Sequence, residues 1–528
     1  MNKKRFIGLT LILVVITGTA LIVWGQGKWT REEKEEAFRE IDRFQKILVH
    51  IQENYVEETD FSNLMDAAIE GMLGELDLHS VYLDELDYQN LMIHTEGKFG
   101  GLGITISKRD NFPTVISPIE GTPAFRLGIQ GGDRIVEIEG ESTRGWSSDD
   151  AVVKLRGDPG SNVNITVMRE GLQDSLDFSI TREIIEVPII SFANIFDGIG
   201  YIRVSRFAKE TARRMDEILN DFEEKGIEGL ILDLRSNPGG LLQSAQTVSD
   251  LFLDKGKLIV STRGRLEEKN REFVANGKNV HGNYPLVVMV NAYSASASEI
   301  VAGALQDWDR ALVAGQTTFG KGSVQSVFPI GRRTALKLTT QKYYTPSGRC
   351  IHKERNKDGE VVNQIAEGEV KEKYYTDNER VVYGGGGITP DWKFELPDMT
   401  DLQKRLALKG IFFSFAVHYA AYHDVSENFT VDQQVLDEFR EYAAEKEIEI
   451  NEENWIPENI DYVTTGIRRE IFRKLKGTEG AYLATLPDDE EFQKVMKLFE
   501  ETGSLSEMFE YVEKRDEKEK KVAKEGDQ

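Results

Sequence analysis

Four mostly apolar runs, near residues 200–204, 230–234, 286–290 and 311–314, alternate with helix-patterned segments such as 209–225 and 298–306. No other feature constrains the fold as tightly. Runs of that length are strands of the buried type, and strands alternating with helices predict an α/β core. That core is only part of the chain, because 528 residues suffice for three or four domains at roughly 150 residues each. Residues 30–90 are patterned as helices: Phe38, Ile41, Phe44, Leu48 and Ile51 recur at three- and four-residue spacing, and a second helix is expected near 61–76. Between 99 and about 182, short alternating strands and glycine-rich turns predict a small β-rich module. Beyond Pro397 the chain is again helical and strongly charged, ending in a solvated run at 513–528. The expected organisation is a multidomain α/β chain divided into 1–28, 29–95, 96–182, 183–397, 398–512 and 513–528.

Composition excludes several function classes. With 40% hydrophobic and 29% charged residues, a sizeable core can form and global disorder is not expected. Lys plus Arg number 65 against 90 Asp plus Glu, a formal net charge of −25. Such a surface repels phosphate backbones, so no nucleic-acid partner is expected. The single cysteine, Cys350, rules out an internal disulfide framework and a multi-cysteine zinc site. The seven histidines show no HExxH or other metal-ligand spacing, so no metal is expected.

Lys3, Lys4 and Arg5 precede an uncharged stretch at 6–25. As a helix, those residues would span about 30 Å, enough for a bilayer core. The basic flank should stay in the cytoplasm, leaving the remainder outside the cell membrane on the periplasmic side. A cleaved signal peptide is the competing reading. Its small-x-small triplet, Gly18-Thr19-Ala20, lies inside the apolar run, so an uncleaved single-pass anchor is favoured.

In the β-rich module, Phe99-Gly100-Gly101-Leu102-Gly103-Ile104 places glycines just before an apolar strand. Glycines there let backbone N–H groups converge on a carboxylate, although a structural turn explains the loop alone equally well. Gly121-Thr122-Pro123-Ala124, Leu127-Gly128-Ile129, Gly132-Asp133-Arg134-Ile135 and Gly140 follow in order. The whole series resembles a PDZ domain. The resemblance implies capture of a free peptide C-terminus by strand addition, with Gly100, Gly101, Leu102, Gly103 and Ile104 as the binding segment.

The run at 286–290 leads into Asn291-Ala292-Tyr293-Ser294-Ala295-Ser296-Ala297-Ser298-Glu299-Ile300. Small residues at a strand-to-helix junction allow a tight turn, and a helix N-terminus offers free N–H groups to a developing oxyanion. An Ala/Ser-rich helix start with Ser298 as cap fits this segment alone just as well. A second segment, Thr317-Thr318-Phe319-Gly320-Lys321-Gly322-Ser323-Val324-Gln325, sets a lysine between two glycines. No histidine lies in a nucleophile–base context, so a serine hydrolase here needs another base, and neutral lysine can serve. Bringing a lysine from about 10.4 to near 7 takes about 4 kcal/mol, supplied mainly by desolvation.

Together Ser296-Ala297-Ser298-Glu299-Ile300, Ala302-Gly303-Ala304-Leu305-Gln306-Asp307 and Phe319-Gly320-Lys321-Gly322 resemble the C-terminal processing (tail-specific) peptidase family. The resemblance makes Ser296 the nucleophile, Lys321 the base and Gln325 the residue that orients it, and leaves Ser294 and Ser298 turn and cap roles. Leu232-Asp233-Leu234-Arg235-Ser236-Asn237-Pro238-Gly239-Gly240 matches a family loop in which one glycine N–H joins that of Ala297 as oxyanion hole; Gly239 and Gly240 both remain open. Arg156, in Leu155-Arg156-Gly157-Asp158-Pro159-Gly160, stands where relatives carry a substrate-sensing PDZ arginine, and a structural surface arginine fits as well. Tyr343-Tyr344-Thr345-Pro346-Ser347-Gly348-Arg349 and Gly384-Gly385-Gly386-Gly387-Ile388-Thr389-Pro390-Asp391 also match. Asp77-Leu78-His79-Ser80 departs at Leu78, where relatives usually have proline, in a turn expected to lie away from the chemistry. The resemblance covers residues 35–397 and implies a crotonase/ClpP-like core, no cofactor and polypeptide substrates taken by their C-termini. It leaves homo-oligomerisation open. An inert PDZ scaffold and a crotonase-like acyl-CoA enzyme are the alternatives. The intact Ser/Lys/Gln set opposes the first, and export with a peptide-binding module opposes the second.

Overall fold

The computed structural model describes residues 30–355, 361, 372–395 and 397–526. The segment 6–25, which carries the membrane expectation, lies outside them. Among the described residues no helix is long and apolar enough to cross a membrane.

The chain divides into two compact units, residues 1–76 and 77–528. In the first, the helix Arg31–Asn54 opens on a capping box. Glu33 accepts the Thr30 N–H at 2.7 Å, and Thr30 Oγ1 accepts the Glu33 N–H, which satisfies two otherwise orphaned donors. The helix Phe61–Gly74 is capped by Asp60, which accepts from Ser62 and Asn63.

Within the second unit, the β-rich module is an antiparallel sheet in the order Ile104–Arg109, Phe112–Pro118, Arg134–Ile138, Asn162–Met168, Leu176–Thr181, with Glu141–Ser142 beside Arg134–Ile138. Val163, Ile165 and Val167 point into its core while Asn162 and Asn164 face water, the period-two pattern of a strand buried on one face. The helix Ser148–Leu155 contributes Ala151 and Leu155 to that core.

The peptidase-like sheet runs Ile190–Phe196, Ile199–Val204, Gly229–Asp233, Leu286–Val290, Leu312–Gly315, Trp392–Lys393. Its first pair is antiparallel and the rest are parallel. Three of the four apolar runs lie within one residue of their expected ends, and Leu286–Val290 matches at both. Leu230, Leu232, Val288 and Val313 face the helices Thr211–Glu224, Leu242–Asp250 and Ala297–Asp307. Ile231, Val287, Met289 and Leu312 face the opposite way, onto Phe492, Val495, Leu498, Met508 and Val512.

The region 398–512, expected from the sequence to be a C-terminal helical region, packs in two places. Its helices Glu490–Glu501 and Leu505–Gly526 are the outer layer of the mostly parallel sheet, and the second of them runs through the boundary expected at 512. A strand apolar on both faces needs both covered, and this late segment supplies most of the described cover on the second face, with Tyr482 and Leu486 beside it. The earlier part builds its own core from Leu402, Leu406, Phe412, Phe415, Phe439, Val463 and Ile467. It also holds the back of the β-rich module. His418 Nδ1 lies 2.8 Å from Glu170 Oε1, and Arg109 reaches the Gly410 carbonyl and lies over the Phe413 ring. A Cβ on Gly132 would sit 2.5 Å from Val417.

A second, antiparallel sheet joins Val81–Leu83, Ala335–Tyr344, Leu258–Arg263 and Arg271–Val274, with Ser323–Pro329 beside Ala335–Tyr344. Its hairpin begins just after Lys321 and so places the lysine loop.

Candidate active site

Ser296 caps the helix Ala297–Asp307 with φ +56° and ψ −112°. A non-glycine residue in that region costs on the order of 1–3 kcal/mol and persists only where its surroundings enforce it. Three contacts do so. Glu299 Oε2 accepts the Ser296 N–H at 2.8 Å, the Tyr343 hydroxyl donates to the Ser296 carbonyl, and Gly239 crowds the turn. A Cβ on Gly239 would lie 2.8 Å from Ser296 Cβ and 2.9 Å from Ala297 N. Ser294 has the turn role expected of it, accepting the Asn291 N–H and donating to the Leu234 carbonyl. Ser298 is not the cap: it lies inside the first turn and donates to the Asn237 carbonyl. The cap position belongs to Ser296, because the helix starts at Ala297, two residues before the start a Ser298 cap would give.

Glu299 ties the Ser296 turn to the lysine loop. Its carboxylate takes four donors: Ser296 N–H and Lys321 N–H at 2.8 and 2.9 Å, Gly320 N–H at 2.7 Å and the Thr318 hydroxyl at 2.6 Å. Burial pushes this carboxyl above its usual range, and the four donors oppose the rise. Thr318 is itself held by Ile388, whose N–H donates to Thr318 Oγ1 at 2.7 Å. Three motifs quoted separately from the sequence meet close by. Arg349 donates to Gln306 and Asp307, each at 2.7 Å, and Gln306 donates to Asp391.

Lys321 is held below the usual lysine range, first by burial and then by the positive charge of Lys337, against the opposing Glu299 and Asp77. Its glycine neighbours are required by close approach. A Cβ on Gly320 would lie 2.6 Å from the Lys353 stem, and one on Gly322 would lie 2.9 Å from His352 N. Gln325 follows a register shift between Val324 and Gln325, and such a bulge re-aims a side chain. Its Nε2 donates to Ser323 Oγ at 3.0 Å and Thr339 Oγ1 at 3.3 Å.

The two glycines of the Asp233–Gly240 loop differ. The Gly239 N–H is taken by Asn237 Oδ1 at 2.9 Å. Gly240 lies beside Phe207, where a Cβ would be 2.1 Å from the carbonyl oxygen. Among the described residues, the N–H groups of Gly240 and Ala297 have no acceptor.

The strand Ile104–Arg109 is an edge strand of its sheet, open to an added strand. A small cleft beside it is lined by Phe99, Leu102, Ile104, Val152, Leu155 and Arg156. Gly100 and Gly101 pair with Ile184 and Glu183, so they belong to a strand rather than to the free loop. Gly103 has φ +79°, and the N–H groups of Leu102 and Gly103 have no acceptor among the described residues. Arg156 caps the helix Ser148–Leu155, donates to Asn90 Oδ1 at 2.7 Å and stacks on the Phe99 ring.

The turn at 77–80, expected to lie away from the chemistry, does not. The charge of Asp77 reaches Lys321, and the charge of Lys321 reaches His79. Only Leu78, the departing residue, faces solvent.

Three family models match: peptidase family S41 over 198–361, a PDZ domain over 100–180, and the N-terminal domain of the activating protease CtpB over 24–86. A carboxy-terminal-processing protease of Bartonella bacilliformis is 41% identical over 341 residues, 64% of this chain and 78% of the relative. The chain belongs to the C-terminal processing proteases of peptidase family S41. The carboxy-terminal processing protease CtpA of Bacillus subtilis is 35% identical over 345 residues, covering 65% of this chain and 72% of that protein. The peptidase is thus of the serine type and carries a PDZ domain, and the inert-scaffold alternative falls. Sequence reasoning did not single out Glu299, Thr339 or the helices that close the peptidase sheet. Glu299 was visible three positions after Ser296, the spacing that lets a side chain reach back to a helix N-terminus.

Proposed function

We propose that this peptidase cleaves polypeptides by a Ser–Lys–Gln mechanism. The observation that carries the reading is the shared Glu299 carboxylate, which fastens the Ser296 and Lys321 backbones to one point. Ser296 Oγ attacks the scissile carbonyl carbon while neutral Lys321 Nζ takes its proton. The oxyanion is held by the N–H groups of Ala297 and Gly240, the pair with no internal acceptor, rather than by the committed N–H of Gly239. Collapse breaks the C–N bond, and Lys321 returns the proton to the leaving amine. The acyl-enzyme is then hydrolysed by water that Lys321 deprotonates. Gln325 orients the lysine. Labelling by a serine-directed fluorophosphonate tests this: wild type should react at Ser296, and Lys321→Ala should not. Equal labelling of both would overturn the role of the lysine.

The PDZ domain reads substrate C-termini. The free N–H groups of Leu102 and Gly103 hold the terminal carboxylate, and the chain adds to the strand that starts at Ile104. Arg156, tied to Asn90, links occupancy of that groove to the rest of the enzyme. The substrates are tails of exported proteins, with the enzyme anchored by 6–25 and its catalytic part in the periplasm. N-terminal sequencing that starts between residues 21 and 28 would instead show a cleaved signal. The run of parallel strands between helix layers supports a crotonase/ClpP-like reading of the core.

A further inference from the structure

Asp77 touches neither Ser296 nor Lys321 by a hydrogen bond among the described residues but is linked to Gln325 through the Thr339 side chain. Its Oδ1 accepts from the His79 N–H at 2.7 Å, the Ser80 N–H at 2.9 Å and the Thr339 hydroxyl at 3.2 Å. Its Oδ2 accepts the Ser80 hydroxyl at 2.9 Å, and Ser80 Oγ accepts the Thr339 N–H at 3.1 Å. The Thr339 oxygen then accepts from Gln325 Nε2. Chemistry orders this chain. An ionised carboxylate can only accept, so the one proton of the Thr339 hydroxyl points at Asp77. The Thr339 oxygen therefore shows Gln325 lone pairs alone, and the amide must turn its NH2 towards Thr339 and Ser323. Its carbonyl oxygen is left facing away as an acceptor.

We propose that Asp77 is a positioning residue for the peptidase reaction: acting through Thr339, it fixes which end of the Gln325 amide is offered to Lys321. With the carbonyl oxygen offered, Gln325 accepts an N–H of the neutral Lys321 amine and aims the remaining lone pair at Ser296 Oγ. Without Asp77 as acceptor, the Thr339 hydroxyl is free to donate to the amide oxygen. The amide then turns over and presents NH2, which cannot accept from an amine. The proposal rests on the Ser–Lys–Gln reading and adds to it the device that sets the glutamine.

A second effect of Asp77 has the opposite sign and gives a separate readout. The charged and titratable groups around Lys321 include Lys337 on the neighbouring strand, Glu299 on the helix, Asp77 and His79 in the turn, His352 bonded to the Gly322 N–H, Tyr343 bonded to the Lys321 carbonyl, and Lys353 against Gly320. Burial and Lys337 lower the proton affinity of the lysine, while Glu299 and Asp77 raise it. Asp77 is itself ionised, since its hydrogen bonds outweigh its partial burial and leave it below the usual range. Replacing Asp77 by Asn keeps an oxygen for the His79 and Ser80 N–H groups but removes the charge. Lys321 should then lose its proton at lower pH even as turnover falls.

The test is steady-state cleavage by the full-length enzyme of a peptide with a free C-terminus, followed across pH. The variants are Asp77→Asn, Thr339→Val, Thr339→Ser, Gln325→Ala and Thr339→Val with Gln325→Ala. Asp77→Asn and Thr339→Val should lower kcat roughly ten- to a hundredfold with little change in KM. Thr339→Ser should restore it, and the double variant should be no slower than Gln325→Ala alone, because both changes act on one amide. The acid limb of Asp77→Asn should move to lower pH. Thr339→Val leaves the bonds of Asp77 to His79 and Ser80 in place, so its result does not depend on the turn surviving. Wild-type kcat in Thr339→Val, or additive losses in the double variant, would overturn the proposal while Ser296→Ala and Lys321→Ala remain inactive. Activity in either of those two would instead overturn the underlying Ser–Lys reading.

Discussion

The Glu299 carboxylate accepts the Ser296 N–H at 2.8 Å from three residues inside the helix that Ser296 begins. Through that bond a buried acid holds Ser296 in a backbone conformation serine rarely adopts.

The first prediction tests that acid. Glu299→Gln has one oxygen where the carboxylate served four donors, and its NH2 must face N–H groups. The loss of two charge-assisted bonds at about 1.5 kcal/mol each corresponds to a fall in kcat of roughly a hundredfold. Turnover near wild type in the purified variant would show that the carboxylate does not hold the site.

The reacting groups are tested separately. Ser296→Ala and Lys321→Ala should each abolish peptide cleavage while thermal unfolding stays near that of wild type. Gln325→Ala should cost less, because it orients the base without exchanging a proton. Burial and Lys337 hold Lys321 low, so kcat/KM should rise with pH and level off below the range of an ordinary lysine.

Substrate tails are tested by amidation. Replacing a free C-terminal carboxylate by an amide leaves the scissile bond unchanged but removes charge-assisted bonds to the Leu102–Gly103 N–H groups. The fall in kcat/KM should be roughly tenfold or more, at about 1.5–3 kcal/mol per lost bond. Arg156→Ala should shrink the difference between the two peptides. Equal cleavage of both by wild type would remove tail reading from the PDZ domain.

Stability should depend on pH through two groups. Asp233 is fully buried. Burial works against its charge, but Arg235 and Arg203 hold it at about 2. A depressed carboxyl adds stability that is complete above its unfolded value near 3.8 and is lost as pH falls towards 2. His79 is pushed down to about 4, by burial first and Lys321 next. Its unfolded form gains a proton as pH falls below 6.5, so stability should decline between 6.5 and 4. His79→Gln should flatten that decline in a urea midpoint series, and an unchanged slope would count against the assignment.

Truncation tests the outer layer. Ending the chain after residue 485 uncovers Ile231, Val287, Met289 and Leu312 together. The product should aggregate or lose cooperative unfolding. A soluble, cooperative and active truncated enzyme would show that the layer is dispensable.

The four apolar runs were legible because a buried strand needs nearly every residue apolar, whatever its neighbours do. The Ser296 and Lys321 segments stood out as small-residue turns, but each alone fitted an ordinary turn or helix start, and the roles of Ser296, Lys321 and Gln325 came only from the resemblance of the combined motifs to the peptidase family. Two things escaped. Strand residues alternate faces, so Ile231 and Val287 demanded a cover, but nothing local told which of several amphipathic helices supplied it. The turn at 77–80 reached the site through Thr339, 262 positions away, and a hydroxyl on a strand carries no mark of the partner that folding brings to it.

Chain order imposes a delay on this enzyme. The helices that complete the peptidase sheet begin almost two hundred residues after Ser296, and at about 5–20 residues per second their synthesis lags on the order of ten seconds or more behind that residue. Throughout that interval one whole face of the sheet has nothing to rest on. A sheet made in this order stays incompletely packed until the outer helices arrive.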